Sequence, residues 1–286
     1  MASSSLEPNN LFDVKGLIVV VTGGGTGIGL MITQALESNG AIVYIVGRRK
    51  DVLEKAISTA KHGNIRAIQG DVTSKVDLEK ITAEIKSAVG YVNVVIANSG
   101  VGGPTMAGLP PQASLSQFRD HLLGFDAAEV SNTFTVNSVG VFNTVVAFLE
   151  LLDEGNKRGG LKQKSQVIAT SSIGAYNRSP FASYAYSSSK AAVIHMMKQF
   201  ATSLVPYDIR ANVIAPGIYP SEMTEGIQQR FQQDEIPKNL IPEQRFGDAE
   251  DFAGAVLFLV SRAGAYINGN VLVTDGGRLG VVPSAY

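Results

Sequence analysis

The chain has 286 residues, a formal net charge of −1 and 45% hydrophobic residues, which fits one large globular domain or two small ones. The near-zero charge and the scattered basic residues argue against nucleic acid or an anionic membrane as partner and favour a small molecule. The chain contains no cysteine, so it forms no disulfide and has no thiolate nucleophile. Its three dispersed histidines make a poor metal site, and we expect no metal.

The first ten residues, MASSSLEPNN, lack the basic start and apolar core of a secretory signal. No uninterrupted apolar run reaches membrane-spanning length. We therefore expect a cytoplasmic, soluble protein in which residues 1–10 are a flexible tail. No composition change marks a second domain, so residues 11–286 are predicted to form a single one.

Short β-branched runs alternate with longer helical patterns along the chain. The predicted strands are 17–21, 41–46, 65–68, 92–97, 166–170, 211–215 and 270–274. The predicted helices are 27–38, 50–61, 74–88, 128–152, 184–204 and 248–262. This order predicts an α/β fold of the Rossmann type, with a doubly wound, seven-stranded parallel sheet and helices on both faces.

Two stretches interrupt this alternation. Residues 99–125 are rich in glycine and proline and then weakly helical, and residues 217–247 contain several prolines between a strand and a helix. Both follow the carboxyl end of a predicted strand, the edge at which open α/β sheets bind ligands. We therefore expect a substrate lid around 217–247 rather than a disordered linker.

A glycine-rich loop from Thr22 to Gly29 follows the first strand and leads directly into a helix. In this context Gly23 would permit a tight turn, Gly27 a close backbone approach to a pyrophosphate, and Gly29 close packing of the helix on the sheet. The predicted dinucleotide contacts in this loop are Gly23, Gly25, Thr26, Gly27 and Ile28.

The second strand ends in Gly47-Arg48-Arg49, where an NAD enzyme of this kind carries an acid for the adenosine ribose hydroxyls. An arginine there can instead pair with a 2'-phosphate, so NADP (NADPH) is favoured over NAD. The alternative is that Arg48 and Arg49 are solvated charges at the start of a helix. Asp71, after the third strand, either accepts a hydrogen bond from adenine or caps the next helix.

Tyr186 and Lys190 are four residues apart in a predicted helix, so their side chains share one helical face. The lysine charge favours the phenolate, which eases proton exchange by the tyrosine. A ketone or alcohol redox step requires such a group. Alone, the spacing is common on surface helices.

Taken in order, these motifs resemble the classical short-chain dehydrogenase/reductase family over essentially the whole chain. The active-site Asn, Ser, Tyr and Lys of that family correspond to Asn137, Ser172, Tyr186 and Lys190. Tyr184 is excluded because Ser188, not a lysine, lies four residues later. The remaining cofactor contacts that the resemblance implies are Asp71, Val72, Asn98, Gly100, Pro216, Gly217, Ile218 and Ser221, with Thr224 as the competitor of Ser221. The family's Asn-Ala-Gly is Asn98-Ser99-Gly100 here.

The resemblance implies an NADP-dependent carbonyl reductase or alcohol dehydrogenase. Tyr186 would donate the proton, Ser172 would polarise the carbonyl, Lys190 would hold the nicotinamide ribose, and Asn137 would support a water that replenishes the proton. It also implies a homodimer or homotetramer formed through the helices near 128–152 and 184–204. Candidate residues of the substrate pocket are Tyr176, Phe181, Tyr219, Met223 and Phe231, although ordinary core or lid packing would explain each equally well.

Two other functions are compatible with these motifs. One is a 3-oxoacyl thioester reductase, against which the long 99–125 segment argues. The other is a non-catalytic dinucleotide-binding regulator, against which the complete set of four active-site residues argues. The sequence favours a ketone-reducing enzyme that acts on a small or secondary-metabolite substrate.

Overall fold

The structure, a computed structural model, describes residues 6–179, 183–230 and 235–286. Seven parallel strands form one sheet in the order β3-β2-β1-β4-β5-β6-β7. They are β1 (Ile18–Thr22), β2 (Ile42–Gly47), β3 (Ile65–Gln69), β4 (Val94–Ala97), β5 (Gln166–Thr170), β6 (Arg210–Pro216) and β7 (Val271–Thr274). The predicted single-domain Rossmann-type fold is confirmed, and all seven predicted strands are present.

The helices alternate with the strands as the sequence predicts. In the described residues they are α1 (Pro8–Leu11), α2 (Gly27–Ser38), α3 (Lys50–Ile57), α4 (Lys75–Ala88), α5 (Leu115–Leu123), α6 (Ala127–Phe134), α7 (Gly140–Ala147), α8 (Leu149–Lys157), α9 (Tyr184–Ser203), α10 (Glu225–Arg230) and α11 (Ala249–Val260). A π-helix, Thr135–Val139, joins α6 to α7.

Two apolar layers enclose the sheet. One face packs against α4, α7, α8 and α9, with Phe148 and Met197 fully buried between the layers. The other packs against α2, α3 and α11, where Ile32, Leu36 and Phe252 are fully buried. The β-branched runs are therefore buried on both faces, which explains why they do not alternate with polar residues.

The strand order reverses between β1 and β4. The chain runs outward from β1 through β2 to β3, then returns to β4 on the other side of β1. The loops after β1 and β4 consequently diverge and leave a crevice at the carboxyl edge of the sheet. The segments that follow β5 and β6 border the same edge.

The helix predicted over 128–152 is not continuous. The π-helix widens it at Thr135–Val139, and a break at Phe148 bends the chain by 41° between Ala127–Ala147 and Leu149–Lys157. This bent pair satisfies the length and composition of a membrane span only when both arms are combined, and no single helix in the described residues does so.

The irregular segments carry some helix of their own. Within 99–125, α5 begins with a capping box formed by Ser114 and Gln117, and none of its residues is buried. Within 217–247, α10 follows the turn after β6. The predicted flexible tail includes α1, a single helical turn with proline at its start.

Candidate active site

A cavity of about 490 Å³ lies at the carboxyl edge of the sheet, a size suited to a small-molecule ligand. It extends from the end of β2 past the glycine loop to α9. Of the residues predicted from sequence, its lining includes Gly23, Gly25, Thr26, Gly27, Ile28, Arg48, Arg49, Asp71, Val72, Asn98, Gly100, Ser172, Tyr186, Lys190, Pro216, Gly217, Tyr219, Ser221, Met223 and Thr224. The cavity thus brings together motifs that the sequence separates by about 200 residues.

At Gly29 the glycine loop has the close packing that the sequence predicts. A Cβ on Gly29 would lie 2.0 Å from the Gly23 carbonyl oxygen, so only glycine allows α2 to pack so closely. Gly27 has φ of +48°, and a Cβ there would lie 2.9 Å from Cβ of Ser221. Thr26, the N-cap of α2, makes no side-chain capping bond. The N-terminal amides of α2 are therefore open to an anion in the cavity.

Helix α9 places Tyr186 and Lys190 at the other end of the cavity. Ser183 caps the helix, and its Oγ accepts a hydrogen bond of 2.9 Å from the Tyr186 amide. Tyr186 is half-buried, whereas Lys190 is only 3% exposed. The Lys190 Nζ lies 5.8 Å from the centroid of the Tyr186 ring. The predicted juxtaposition of phenol and ammonium is therefore present.

Two hydrogen bonds join Lys190 to the end of β5. Its Nζ donates to the Thr170 carbonyl at 2.9 Å, and its own carbonyl accepts from Ser171 Oγ at 2.8 Å. Burial lowers the pKa of Lys190 to about 8, because the charged amine loses solvation. The amine is therefore fixed in position and readily loses its proton just above neutral pH.

The pKa of Tyr186 differs from the sequence prediction. The neighbouring lysine was expected to lower it, but burial raises it because the phenolate is poorly solvated. A hydrogen bond from Ser172 acts in the opposite direction and favours the phenolate. The phenol is therefore protonated at neutral pH, as required of a proton donor.

Ser172 begins the 3₁₀ turn Ile173–Ala175 after β5. Its Oγ accepts a hydrogen bond of 3.0 Å from the Gly174 amide. Because that bond occupies a lone pair, the hydroxyl proton is free to point towards Tyr186 or towards an oxygen held beside it. Ser172 is thus oriented as a donor.

Asn137 is completely buried in the π-helix, and its side chain bonds to protein groups. Its Oδ1 accepts from the Val101 amide at 2.8 Å, and its Nδ2 donates to the Val101 carbonyl and to Ser189 Oγ, both at 3.0 Å. Ser189 Oγ donates in turn to the Tyr186 carbonyl at 2.7 Å. The Asn137 side chain therefore links the loop after β4 to α9.

The opposite end of the cavity carries two arginines that face carboxylates. Arg48 Nη1 lies 3.9 Å from Asp71 Oδ2, and Arg49 pairs with Glu222 at 3.1 Å. Asp71 Oδ1 also accepts from the amide and hydroxyl of Thr73, both at 2.8 Å. The alternative in which Asp71 caps the following helix is wrong, since Ser74 is the N-cap of α4.

The turn after β6 distinguishes the two hydroxyls that compete for the nicotinamide. Thr224 Oγ1 accepts from the Ser221 amide and from Gln228 Nε2 and donates to the Tyr219 carbonyl, so it holds the turn together. Ser221 Oγ lies 3.0 Å from Thr224 Oγ1 and has fewer hydrogen-bond partners than Thr224 among the described residues. Which of the two hydroxyls contacts the nicotinamide stays a prediction. Ile218 is not among the described residues that line the cavity; its carbonyl accepts from the Gly247 amide.

The predicted substrate-pocket residues lie in different environments. Met223 lines the cavity with a half-exposed side chain, and a Cβ on Gly102 would be 3.9 Å from its Cγ. Tyr219 also borders the cavity but is buried, with its ring edge-on to Phe252 in the core, so it anchors the segment after β6. Tyr176 packs against Tyr286 and is not among the described lining residues. Phe181 and Phe231 lie outside the described residues.

Sequence reasoning missed three functional neighbours. Ser171 and Ser189 are buried and fix Lys190 and Asn137, yet they read as ordinary members of serine runs. The position of Ser189 one residue before Lys190 was the available signal. Glu222 gave no signal, because its partner Arg49 is 173 residues away.

Comparison with known proteins identifies the family of the chain. The family model described as enoyl-(acyl carrier protein) reductase matches residues 23–278. The short-chain dehydrogenase/reductase PhomF of Diaporthe leptostromiformis is 53% identical, over 99% of this chain and 100% of that protein. The rhamnolipids biosynthesis 3-oxoacyl-(acyl-carrier-protein) reductase of Pseudomonas aeruginosa is 30% identical, over 93% of this chain and 97% of that protein.

A solved structure shares the fold throughout. The Pseudomonas aeruginosa RhlG/NADP active-site complex superposes with a TM-score of 0.80 at 29% identity, over 93% of this chain and 98% of that one. The chain therefore belongs to the classical short-chain dehydrogenase/reductase family of oxidoreductases, whose members bind a nicotinamide dinucleotide. The uncapped start of α2 beside the cavity fits the pyrophosphate of such a cofactor.

Proposed function

We propose that this protein is an NADP(H)-dependent oxidoreductase that interconverts a ketone and a secondary alcohol. The observation that carries the proposal is the shared cavity, which has Ser172, Tyr186 and Lys190 at one end and Arg48 and Arg49 at the other. A dinucleotide spanning this cavity would place its reactive ring beside a proton donor. When bound, the cofactor supplies the hydride.

The protein's own contribution is to hold the oxygen and to move the proton. Ser172 Oγ donates to the carbonyl oxygen and stabilises the charge that develops there. The Tyr186 phenol is protonated at neutral pH, and burial raises its pKa further. It donates its proton to the same oxygen. Lys190, fixed by Thr170, would hold the ribose of the nicotinamide. In the oxidative direction the alcohol proton moves to Tyr186.

Asn137 positions this group of residues. Its three hydrogen bonds to Val101 and Ser189 set the distance between α9 and the loop after β4. Its proposed support of a proton-supplying water is a second role, and the backbone carbonyl is the part that would serve it, since the side chain is committed to protein groups.

Basic residues at the end of β2 support the choice of NADP(H). None of Gly47, Arg48 and Arg49 is the acid that would accept hydrogen bonds from the ribose hydroxyls. Two guanidinium groups border the cavity there instead. Such groups form charge-assisted hydrogen bonds with a phosphate. The solved relative in complex with NADP has the same fold.

The substrate end of the cavity is bordered by apolar groups. Val101, Val136 and Met223 line it, and the segment carrying Gly102 meets the lid there. This lining favours a ketone with apolar substituents, of the small or secondary-metabolite kind. A 3-oxoacyl thioester is the second candidate, because the Pseudomonas aeruginosa relative is named for that reaction.

The test is NADPH consumption with a panel of ketones that includes a 3-oxoacyl thioester, each measured with wild type and Tyr186→Phe. We expect turnover with at least one ketone and its loss in the variant. Turnover of the thioester alone would establish the second candidate. Binding of NADPH without turnover of any carbonyl would favour the non-catalytic regulator.

We further propose a homodimer or homotetramer assembled through α7 and α9. Val139, Phe142 and Val146 are 48, 46 and 44% exposed along one helical face, and Phe142 stacks on Phe200 of α9 at 5.8 Å. Light scattering should show that Phe142→Arg lowers the molecular mass in solution. Tyr266→Arg, at a fully exposed site elsewhere, is the control.

A further inference from the structure

Glu222 reaches across the cavity mouth to a residue proposed to bind the cofactor phosphate. Arg49 Nη2 donates to both carboxylate oxygens of Glu222, at 3.1 and 3.2 Å. Both residues line the same cavity and both remain largely exposed to solvent. The lid therefore places an anion at the site expected to receive the 2'-phosphate.

The turn that carries Glu222 is held in place on both sides. The Ser221 amide donates to Thr224 Oγ1, and the Thr224 amide donates to the Ser221 carbonyl, both at 3.1 Å. Ser221 packs closely against the glycine loop: a Cβ added to Gly27 would lie 2.9 Å from the Cβ of Ser221. The backbone of Glu222 is thus fixed beside the loop, from which its side chain spans to Arg49.

We propose that Glu222 is a specificity-determining residue whose carboxylate competes with the 2'-phosphate of NADP(H) for the Arg49 guanidinium. The inference rests on the proposed cofactor. A phosphate and a carboxylate accept hydrogen bonds from the same arginine donors, and a phosphate bound beside Glu222 would meet a like charge. NADP(H) must displace Glu222, whereas NAD(H), with a neutral hydroxyl there, need not. Glu222 therefore weakens the preference that the two arginines create.

The test compares two fragments, adenosine 2',5'-bisphosphate and 5'-AMP, which differ only in the 2'-phosphate. Glu222→Gln keeps the side-chain size and removes the charge. We expect calorimetry to show bisphosphate binding about three- to fivefold tighter, the range of an exposed ion pair, with 5'-AMP unchanged. Unchanged or weaker bisphosphate binding would overturn the inference.

Two further variants isolate the cause. Glu225→Gln removes the same charge three residues along, where the carboxylate accepts from Gln229, and should change neither affinity. In an Arg49→Ala background, Glu222→Gln should no longer tighten bisphosphate binding. If the gain persists there, Glu222 acts by general repulsion and competition for Arg49 is wrong.

The same affinity measurements test the proposed cofactor separately from the role of Glu222. The ratio of the two fragment affinities in wild type tests the preference for the 2'-phosphate. The change in that ratio in Glu222→Gln tests the role of Glu222. A wild type that prefers 5'-AMP contradicts the proposed cofactor, and an unchanged ratio in the variant contradicts the inference.

Discussion

The two ends of the cavity are built differently. At the catalytic end, formed by Asn137, Ser172, Tyr186 and Lys190, side chains are buried or half-buried. Hydrogen bonds join Lys190 to the end of β5 and Asn137 to helix α9. At the phosphate end, formed by Arg48, Arg49, Asp71 and Glu222, charged side chains meet in pairs that are mostly exposed. Buried polar networks are costly to disturb, whereas exposed pairs contribute little to stability. The catalytic residues are thus held firmly in place, whereas the residues proposed to select the cofactor can be substituted with little loss of stability.

The largest expected effect lies at the catalytic end. Tyr186→Phe removes the phenol proton that is donated to the substrate oxygen. Turnover should therefore fall by roughly 10²- to 10⁴-fold. Fluorescence titration should show NADPH binding retained. Tyr184→Phe is the matched control, because that tyrosine is exposed on the same helix. An equal loss of turnover in Tyr186→Phe and Tyr184→Phe would contradict the assignment of Tyr186 as the proton donor.

The next effect is a pH-dependent stability. Burial lowers the pKa of Lys190 from 10.5 to about 8, so between these values the unfolded chain binds a proton that the folded chain does not. Stability of the wild type relative to Lys190→Met should therefore rise with pH across this window, by on the order of 3 kcal/mol. Below pH 8 both states are protonated and the difference is constant.

Denaturant unfolding of both proteins from pH 7 to 10.5 measures this difference. Lys198→Met, at an exposed position of the same helix, should show no such trend against wild type. Parallel curves for wild type and Lys190→Met would mean that the amine is not held in a poorly solvated site.

Asn137→Ala should lower the free energy of unfolding by less than the pH-dependent change expected for Lys190. It removes the partners of Val101 and Ser189 inside the protein and leaves the part-buried Val101 amide unpaired, which costs about 1–3 kcal/mol in the free energy of unfolding. Thermal or urea unfolding measures it. Asn39→Ala removes an exposed bond to the Ala35 carbonyl and should cost far less.

The smallest effect belongs to the phosphate end. Arg48→Ala should weaken NADPH binding by about tenfold, the size of one charge-assisted hydrogen bond, without changing NADH binding or the unfolding midpoint. Lys50→Ala, which removes an exposed charge paired with Glu54, is the control. A variant whose preference for NADPH does not move would show that Arg48 does not read the phosphate.

The sequence predicted the sheet because its strands are short apolar runs buried on both faces, a local signal. It also predicted the pairing of Tyr186 with Lys190, since one helical turn separates them. It missed the π-helix at Thr135–Val139, because that widening accompanies bonds from Asn137 to Val101 and Ser189 on two other elements. It left open whether Tyr219 lines a pocket or packs in the core, and the structure places its ring against Phe252 of a later helix.

The phosphate end was predicted only by residue type. Arg48 and Arg49 were identified because they follow a predicted strand. The carboxylates that face them, those of Asp71 and Glu222, come from separate loops. The raised pKa of Tyr186 was also beyond sequence, since it depends on how much protein surrounds the phenol. Contacts between distant segments decide both features.

The buried Ser183 marks the start of helix α9. Its Oγ accepts a hydrogen bond from the Tyr186 amide, so the tyrosine lies in the first turn of the helix. Loss of this cap would leave that amide without its partner and would favour fraying of the turn that carries Tyr186, at a cost of about 1 kcal/mol. The order of the proton donor therefore depends in part on a hydroxyl three residues upstream.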